Sequence, residues 1–483
     1  MILLLLCSIS AWSATNNLSQ GLDLFNNEFI NSPKVKSLSQ QLEARIIRST
    51  TASRDRGLTI IGSIGQQQSP NLSGSQLQDA GGIYSTNQGS LNSKLTLGLR
   101  NVGIFNSTEI SFNNAWVTRN YQKSSNLINT VDSYRDYSMG ISYDLVRGGY
   151  NDLNYLNNKV TEKTELFNLL NTSNSVVRTY LDYRFQLLDI FSSYCKLMTS
   201  NEDLQIMRKV VSEITLSYQL KSISYKNYLN VIDTFNFIQR NNITYDLSFQ
   251  LNLQRMLAWS DVTKEEWEAK ITNNFKCPKQ NSQFREVIEN HQNLKAHYSH
   301  TLLSHQARAN LESTHYALNA TRMNYRPSVK PYLQFGQEDS SGFNNRRLEL
   351  GVQFAWDTPS SKNTGEILSA NLNNGAAQNT VKNNEQIFNA TVNSYQISIG
   401  KYKQLLDLSL SSFDNSNALI NLLEVQKSIG QVDSLSLSNA FTQRNQILNN
   451  LYDSLINLEK TRQELIYLEN WKSVIALFGI EFK

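Results

Sequence analysis

Five histidines, His291, His297, His300, His305 and His315, gather in a stretch that reads as one helix from Ser282 to Asn324. His297 and His300 stand three apart, so on a helix both imidazoles share a face, a spacing from which a metal pair can be built. No carboxylate cluster accompanies them, which favours packed or solvent-facing rings. Of the cysteines, Cys7 lies in an opening apolar run, Cys195 on an expected helix and Cys277 in an expected loop. Cys195 and Cys277 give neither a disulfide scaffold nor a metal pattern and read as inert thiols. Nothing matches a Gly-rich phosphate loop after a strand, a His-Glu-x-x-His helix or a nucleophile elbow. No catalytic residue, metal site or cofactor is expected, and the chain does not read as an enzyme.

Charge and composition remove further classes. The 45 basic and 41 acidic residues give a formal charge of +4 and are spread without a block, so no nucleic-acid partner is suggested. Only 6 prolines and 21 glycines punctuate 483 residues, which favours long uninterrupted helices. No apolar run reaches the ~18 residues of a membrane-spanning helix, whereas a membrane barrel, with short alternating strands, stays open. Residues 1–13, from Met1 to Ser13, read as a signal peptide cleaved before Ala14, and hence as export.

The elements that must position any functional residue follow from periodicity. Pro33 opens a short amphipathic helix carrying Val35, Leu38, Leu42, Ile46 and Ile47. From Leu58 the period falls to two. Leu58, Ile60 and Ile64, then Leu95, Leu97 and Leu99, then Ile110, Phe112 and Trp116, then Ile141, Tyr143 and Leu145 alternate with polar or small residues, as half-buried strands do. Residues 67–90 read as a Gln/Ser/Gly-rich loop between the first two. From Asn151 to about Leu220 no proline or glycine occurs, and 70 helical residues would span about 105 Å as one helix or two collinear ones. A turn at Lys221-Ser222, a returning helix to about Trp259 and a connector through Cys277-Pro278 follow. The second half runs from the helix 282–324 into an extended segment, Pro327 to Phe335, where Pro331 argues for an edge, an end or local distortion. A loop at Gly342 to Asn345, a partner strand to Trp356, a long helix from Gly365 to Ser428 and a final helix from about Asp433 to Gly479 complete it.

Two landmarks return in the same order and at nearly the same spacing. Lys221-Ser222-Ile223 recurs as Lys427-Ser428-Ile429, each with a leucine six residues after the isoleucine, and Gly140-Ile141-Ser142-Tyr143-Asp144 recurs as Gly351-Val352-Gln353-Phe354-Ala355. This points to a duplicated unit. On this basis residues 14–262 form a first repeat, with strands at about 57–147 and a helical hairpin at about 151–260. Residues 263–483 form a second, with its connector, the helix 282–324, strands 327–357 and a hairpin at 365–478.

In that frame the chain resembles the outer-membrane efflux protein family, the TolC-like channels, over nearly its whole length. The resemblance rests on Asn31-Ser32-Pro33-Lys34-Val35, on Tyr325-Arg326-Pro327-Ser328 leading into a strand, on Gly351-Val352-Gln353-Phe354 in its partner, and on Ser428-Ile429-Gly430-Gln431-Val432-Asp433-Ser434-Leu435 at the second turn. It implies a mainly α fold with a membrane β-barrel: a homotrimer in which each chain gives four strands to a shared twelve-stranded barrel, and long antiparallel helical hairpins form a periplasmic α-barrel. It implies a passive exit duct in the outer membrane extending into the periplasm, in contact with outer-membrane lipid, a periplasmic adaptor and an inner-membrane transporter, as part of an efflux pump or a type I secretion system. The physics is consistent, because a few amphipathic strands from one chain cannot close a barrel and an open edge is not tolerated in hydrocarbon.

Two departures stand out. The segments 91–118 either lengthen the strands or form an extra outer hairpin. At the second turn, the positions matching the family's aperture aspartates are Ser436 and Asn439, with charge offered instead by Asp433 and, in the first half, by Lys226 and Asp233. Asp433, Ser436, Asn439 and Asp233 are therefore the candidates for the pore constriction, and Lys221, Ser222, Lys427 and Gly430 those for adaptor contact. Tyr218, Tyr225 and Tyr228 near the first turn read as packing. The competing class is a secreted or surface coiled-coil interaction protein.

Overall fold

The structure, a computed structural model, describes residues 22–54, 57–69, 83–100, 105–123, 129–259, 262–279, 283–285, 296–340, 343–356, 361–428 and 434–480. The signal-peptide reading at 1–13, with Cys7, and the residues His291, Gly430 and Asp433 lie outside these. The chain forms two compact units. One comprises Met1–Ala44, Leu170–His305 and Asn383–Lys483, and the other Arg45–Leu169 and Gln306–Lys382.

In chain order the elements are α1 (Asn26–Asn31), α2 (Pro33–Arg54), β1 (Gly57–Ser69), β2 (Ile83–Arg100), β3 (Thr108–Lys123), β4 (Asn129–Tyr143), α3 (Leu153–Gln219), α4 (Tyr225–Leu257), α5 (Lys264–Asn274), α6 (Leu302–Asn324), β5 (Ser328–Ser340), β6 (Phe343–Ala355), α7 (Ser361–Ser428), α8 (Ser434–Glu469) and α9 (Trp471–Ala476). Pro33 does start α2, where a missing N–H costs nothing, and the Ser32 hydroxyl accepts from the Val35 amide at 3.2 Å. The long stretch free of proline and glycine is a single α3 of 67 residues. Its many hydroxyls, Thr161, Ser175, Thr179, Thr199 and Thr215 among them, donate back to the carbonyl four residues earlier. Serine and threonine are in this way satisfied inside a helix they would otherwise weaken.

Several expectations need correction. The stretch 67–90 is not all loop: β1 runs to Ser69 and β2 begins at Ile83, because strands in this sheet extend into polar sequence once neighbours pair their backbones. Asn344 and Asn345, expected in a loop, are likewise in β6. The connector contains α5, capped by Thr263, whose hydroxyl accepts from Glu266 N at 3.4 Å. The helix expected at 282–324 is not continuous: residues 283–285 are helical, a 3₁₀ turn lies at Tyr298–His300 and a separate α-helix starts at Leu302, so His297 and His300 do not share a helix with His305 and His315. The final helix breaks at Asn470 into α8 and α9.

The helical unit is cored by aromatics. Phe25 stacks on Trp267 at 5.5 Å, and Phe29 packs on Tyr180, Tyr183 and Trp259. Among them Arg184 is buried, with its guanidinium on Asp23, on Gln463 at 3.1 Å and on the Tyr180 hydroxyl at 2.8 Å. Full pairing is what makes such a buried charge tolerable. The largest correction is here too. Cys195 and Cys277 are not isolated thiols but form a disulfide, with Cα atoms 5.4 Å apart. It ties the segment after α5 onto α3, beside Phe191 against Phe275 at 5.3 Å and the Tyr452 hydroxyl donating to the Pro278 carbonyl at 2.9 Å.

The other unit contains one antiparallel sheet in the order β1-β2-β3-β4-β5-β6. The segments 91–100 and 108–118 belong to β2 and β3 of this sheet. Where the resemblance implies four strands, the described residues form six. Pro331, with no N–H to give, sits one position beyond the end of the β4–β5 ladder at Ser142–Tyr332, while still opposite Val352 of β6.

Candidate functional site

Each strand of the sheet alternates, and register lines the alternation up into rows. Ile60, Leu97, Ile110, Ile141, Leu333 and Leu350 are successive partners across all six strands, as are Leu95, Phe112, Met139, Phe335 and Leu348 across five. On this face Leu350 is 75% and Val352 67% exposed, with Phe335, Leu348, Phe354 and Trp356 also open to solvent. A concavity of about 700 Å³ is lined by Leu95, Phe112, Tyr137, Met139 and Phe335 together with Lys94 and Asn113. Contiguous exposed apolar surface of this extent marks a membrane or partner contact. On β6 the apolar positions run from Leu348 to Trp356, about 27 Å of strand and about 21 Å after a 40° tilt, close to the height of a lipid-facing band.

The opposite face is polar. Thr96, Ser111, Gly140, Gln334 and Glu349 form one row, and Lys94, Asn113, Ser138, Gly336 and Arg347 the next. Arg347 lies across Gly336, where an added Cβ would meet its Nε at 2.8 Å, and reaches Asp136 on β4 at 2.7 Å. Tyr332 covers Gly351 in the same way, 2.6 Å from the Cβ it lacks. Glycine here makes room for long polar side chains to lie flat over the neighbouring strand. Lys330 and Glu109 pair at 3.6 Å on the same face.

In the helical unit the two turns differ. α3 ends with Lys221 at φ 59°, the Lys221 amide on the Tyr218 carbonyl and the Ser222 amide on the Ser217 carbonyl, both at 2.9 Å. That is a Schellman ending with lysine in the place glycine usually takes. The Ser222 hydroxyl also donates to the Ser217 carbonyl at 2.7 Å. Ser224, which lies one residue after Lys221-Ser222-Ile223 as Gly430 does after Lys427-Ser428-Ile429, has φ −74° and caps α4, accepting from Asn227 N at 3.3 Å. Lys427 is still helical in α7 and is paired with Glu213 of α3 at 2.7 Å. The repeated Lys-Ser therefore does not hold equivalent helix positions in the two halves. Asp233, Ser436 and Asn439 are exposed. Tyr218 stacks on Tyr228 at 4.8 Å and Tyr225 leans on both, and Tyr225 stays 59% exposed.

The two helical hairpins meet just behind these turns. Met207, Val210, Ile214, Val231 and Ile238 core the first. Ile420, Leu437, Ala440 and Phe441 core the second and take in Ile206 of α3. Beneath lies Asp203, buried and paired with Arg444 of α8 at 3.3 Å. Burial pushes its carboxyl up to about 7 despite the guanidinium beside it. The sequence reading missed this residue. Its signal in the sequence is weak, a lone aspartate after Asn201-Glu202.

The histidines do not converge. His297 and His300 rings are 6.3 Å apart, His305 packs near Trp471 at 6.0 Å, and His315 contacts the Asn319 amide at 3.2 Å. Among the described residues no group of His, Cys, Asp and Glu is placed to hold a metal ion, and no helix is long and apolar enough to cross a membrane.

No protein-family model and no curated protein matches the chain. Solved structures do. The chain is similar to a membrane protein from Pseudomonas aeruginosa (TM-score 0.56, 10% identity, 93% of this chain and 89% of that one). It is also similar to the outer membrane protein VceC from Vibrio cholerae (0.52, 12%, 98% and 100%) and to the Campylobacter jejuni CmeC outer membrane channel (0.52, 11%, 96% and 86%). The fold is that of the outer-membrane efflux channels.

Proposed function

We propose that the chain is an outer-membrane channel, a passive exit duct that works as a homotrimer. It serves a tripartite efflux pump or a type I secretion system, in which a periplasmic adaptor links it to an inner-membrane transporter that supplies the energy. The observation that carries this reading is the sheet, apolar on one face and charged on the other, with both edges open. In lipid the open edges demand neighbours, and the polar face then lines water. The duplicated order of strands, long helix, turn and returning helix supports the same reading. Residues 1–13 are the export signal. The turns carry the partner surface: Lys221, Ser222, Lys427 and Gly430 contact the adaptor, while Asp433, Ser436, Asn439 and Asp233 face the constriction. A secreted coiled-coil protein would have no use for the exposed band of Leu348, Leu350, Val352 and Phe354.

Fractionation of cells that express the full chain, followed by mass measurement in detergent and conductance in planar bilayers, tests this. A protein that resists salt extraction, dissolves in detergent as a trimer and conducts is the expected result. A protein released by salt as a monomer overturns the reading.

A further inference from the structure

The two strands beyond the four that the resemblance implies share the register of the rest. β2 pairs with β3 from Ile83–Lys123 to Gly98–Glu109, and with β1 from Gly57–Arg100 to Ser69–Gln88. The apolar rows pass into them unbroken. Ile60 and Leu97 continue the row Ile110–Ile141–Leu333–Leu350, and Leu95 continues Phe112–Met139–Phe335–Leu348. A slip of one residue would turn every one of these side chains to the charged face, and no slip occurs across them. Ile60 is 64% and Leu95 40% exposed on the same face as Phe335, a placement that a hairpin standing clear of lipid would not need. With β2 hydrogen-bonded along β3, β3 has no edge left to offer another chain. The free edges of the sheet are β1 and β6, and each is 13 residues long.

We propose that β1 of one copy pairs with β6 of the next, so that three copies close a barrel of eighteen strands instead of twelve. The inference rests on the trimeric-channel reading above and departs from the strand number that the resemblance implies. Barrel diameter grows nearly linearly with strand number. At about 4.8 Å between strands and about 40° of tilt, the backbone ring widens from about 24 Å to about 36 Å, and its cross-section increases about 2.3-fold. Long side chains on the inner face, Arg347, Lys330, Tyr332 and Glu349, then fit a lumen wide enough to stay hydrated around them.

The full-length protein in lipid nanodiscs, imaged by electron cryomicroscopy, gives the strand count at membrane level, and mass measurement of the same sample gives the number of chains. Three chains and eighteen strands is the expected result. Three chains with twelve strands, the β1–β2 hairpin lying outside the ring, overturns the proposal and leaves the channel reading intact. A particle without three chains around a common barrel overturns both. Cysteine pairs give a second measurement: Ile60→Cys combined in turn with Leu348→Cys, Leu350→Cys and Val352→Cys is expected to yield an oxidised ladder up to covalent trimer for at least one pair. Ile110→Cys with the same three is expected to yield none. Ladders from Ile110→Cys, or none from Ile60→Cys, overturn the pairing of β1 with β6.

Discussion

Removing the disulfide between Cys195 and Cys277 separates its contribution from everything else that holds the connector on α3. The bridge spans 82 residues, and the chain-entropy relation assigns a loop of that length about 4.5 kcal/mol of stabilisation at 25 °C, acting on the unfolded state. That figure is an upper value, since unfolded chains retain local structure that already restricts such a loop. The variant Cys195→Ala/Cys277→Ala, or the wild type with reductant, is expected to keep its assembly but melt several degrees lower. Cys195 is fully buried, so the alanine variant also loses a sulfur's packing and falls slightly below the reduced wild type. Melting curves with and without reductant, run beside maleimide labelling of the denatured, unreduced protein, provide the readout. If both thiols label before reduction, the bridge does not form in the protein. If the bridge forms but reductant leaves the melt unmoved, the loop-entropy account is wrong for this chain.

Two further outcomes follow from the helical unit. Burial holds the Asp203 carboxyl up to about 7 against a reference of 3.8, so the folded state keeps the proton while the unfolded state loses it. The stability from this group is full below about pH 4 and is lost as pH rises through 7, about 4 kcal/mol in all. Asp203→Asn is expected to remove that slope, and melts of variant and wild type that run parallel from pH 4 to 8 refute it. At the second turn, Ser436→Asp/Asn439→Asp adds up to about six negative charges to a trimer, close enough to draw cations and raise divalent-cation block. Unchanged cation selectivity in planar bilayers would remove these residues from the constriction.

Much of the fold was legible because its signals are local. The absence of proline and glycine from Asn151 to Leu220 leaves α3 nothing to end on, and the two-residue period of Leu95, Leu97 and Leu99 needs no partner to be seen. What was missed depended on contacts between distant residues. The Cys195–Cys277 bridge joins positions on different elements, yet one clue was available: a chain read as exported from its first 13 residues would bring its two later cysteines to a compartment where they can pair. The α5 helix inside the connector did carry a local signal, the capping pattern Thr263-Lys264-Glu265-Glu266 ahead of the buried Trp267, whereas the break at Asn470 is settled by packing of Trp471, also fully buried. At the turns, Lys221 was read as a turn residue and an adaptor contact; its left-handed backbone follows from where α3 runs out of partners, which no residue type announced. Asp203 was hidden for the same reason, since only the neighbouring α8 turns a surface-looking aspartate into a buried one.

Strand number was the hardest quantity to read, and the physics of edges explains why it matters. An alternating segment reports that it is half-buried, not which strand it pairs with, so segments 91–118 fitted both a longer strand and a separate hairpin. Register decides it, because the apolar row from Ile60 to Leu350 stays on one face through all six strands and the row from Leu95 to Leu348 through five. On a free 13-residue edge, roughly half the N–H and C=O groups point outward, and each one left bare in hydrocarbon costs several kcal/mol. A lone sheet with this exposed band can neither stay in water without hiding Leu350 and Val352 nor enter lipid without closing β1 and β6. Assembly with further copies answers both demands at once, and the equal lengths of the two edges leave no overhang when one copy meets the next.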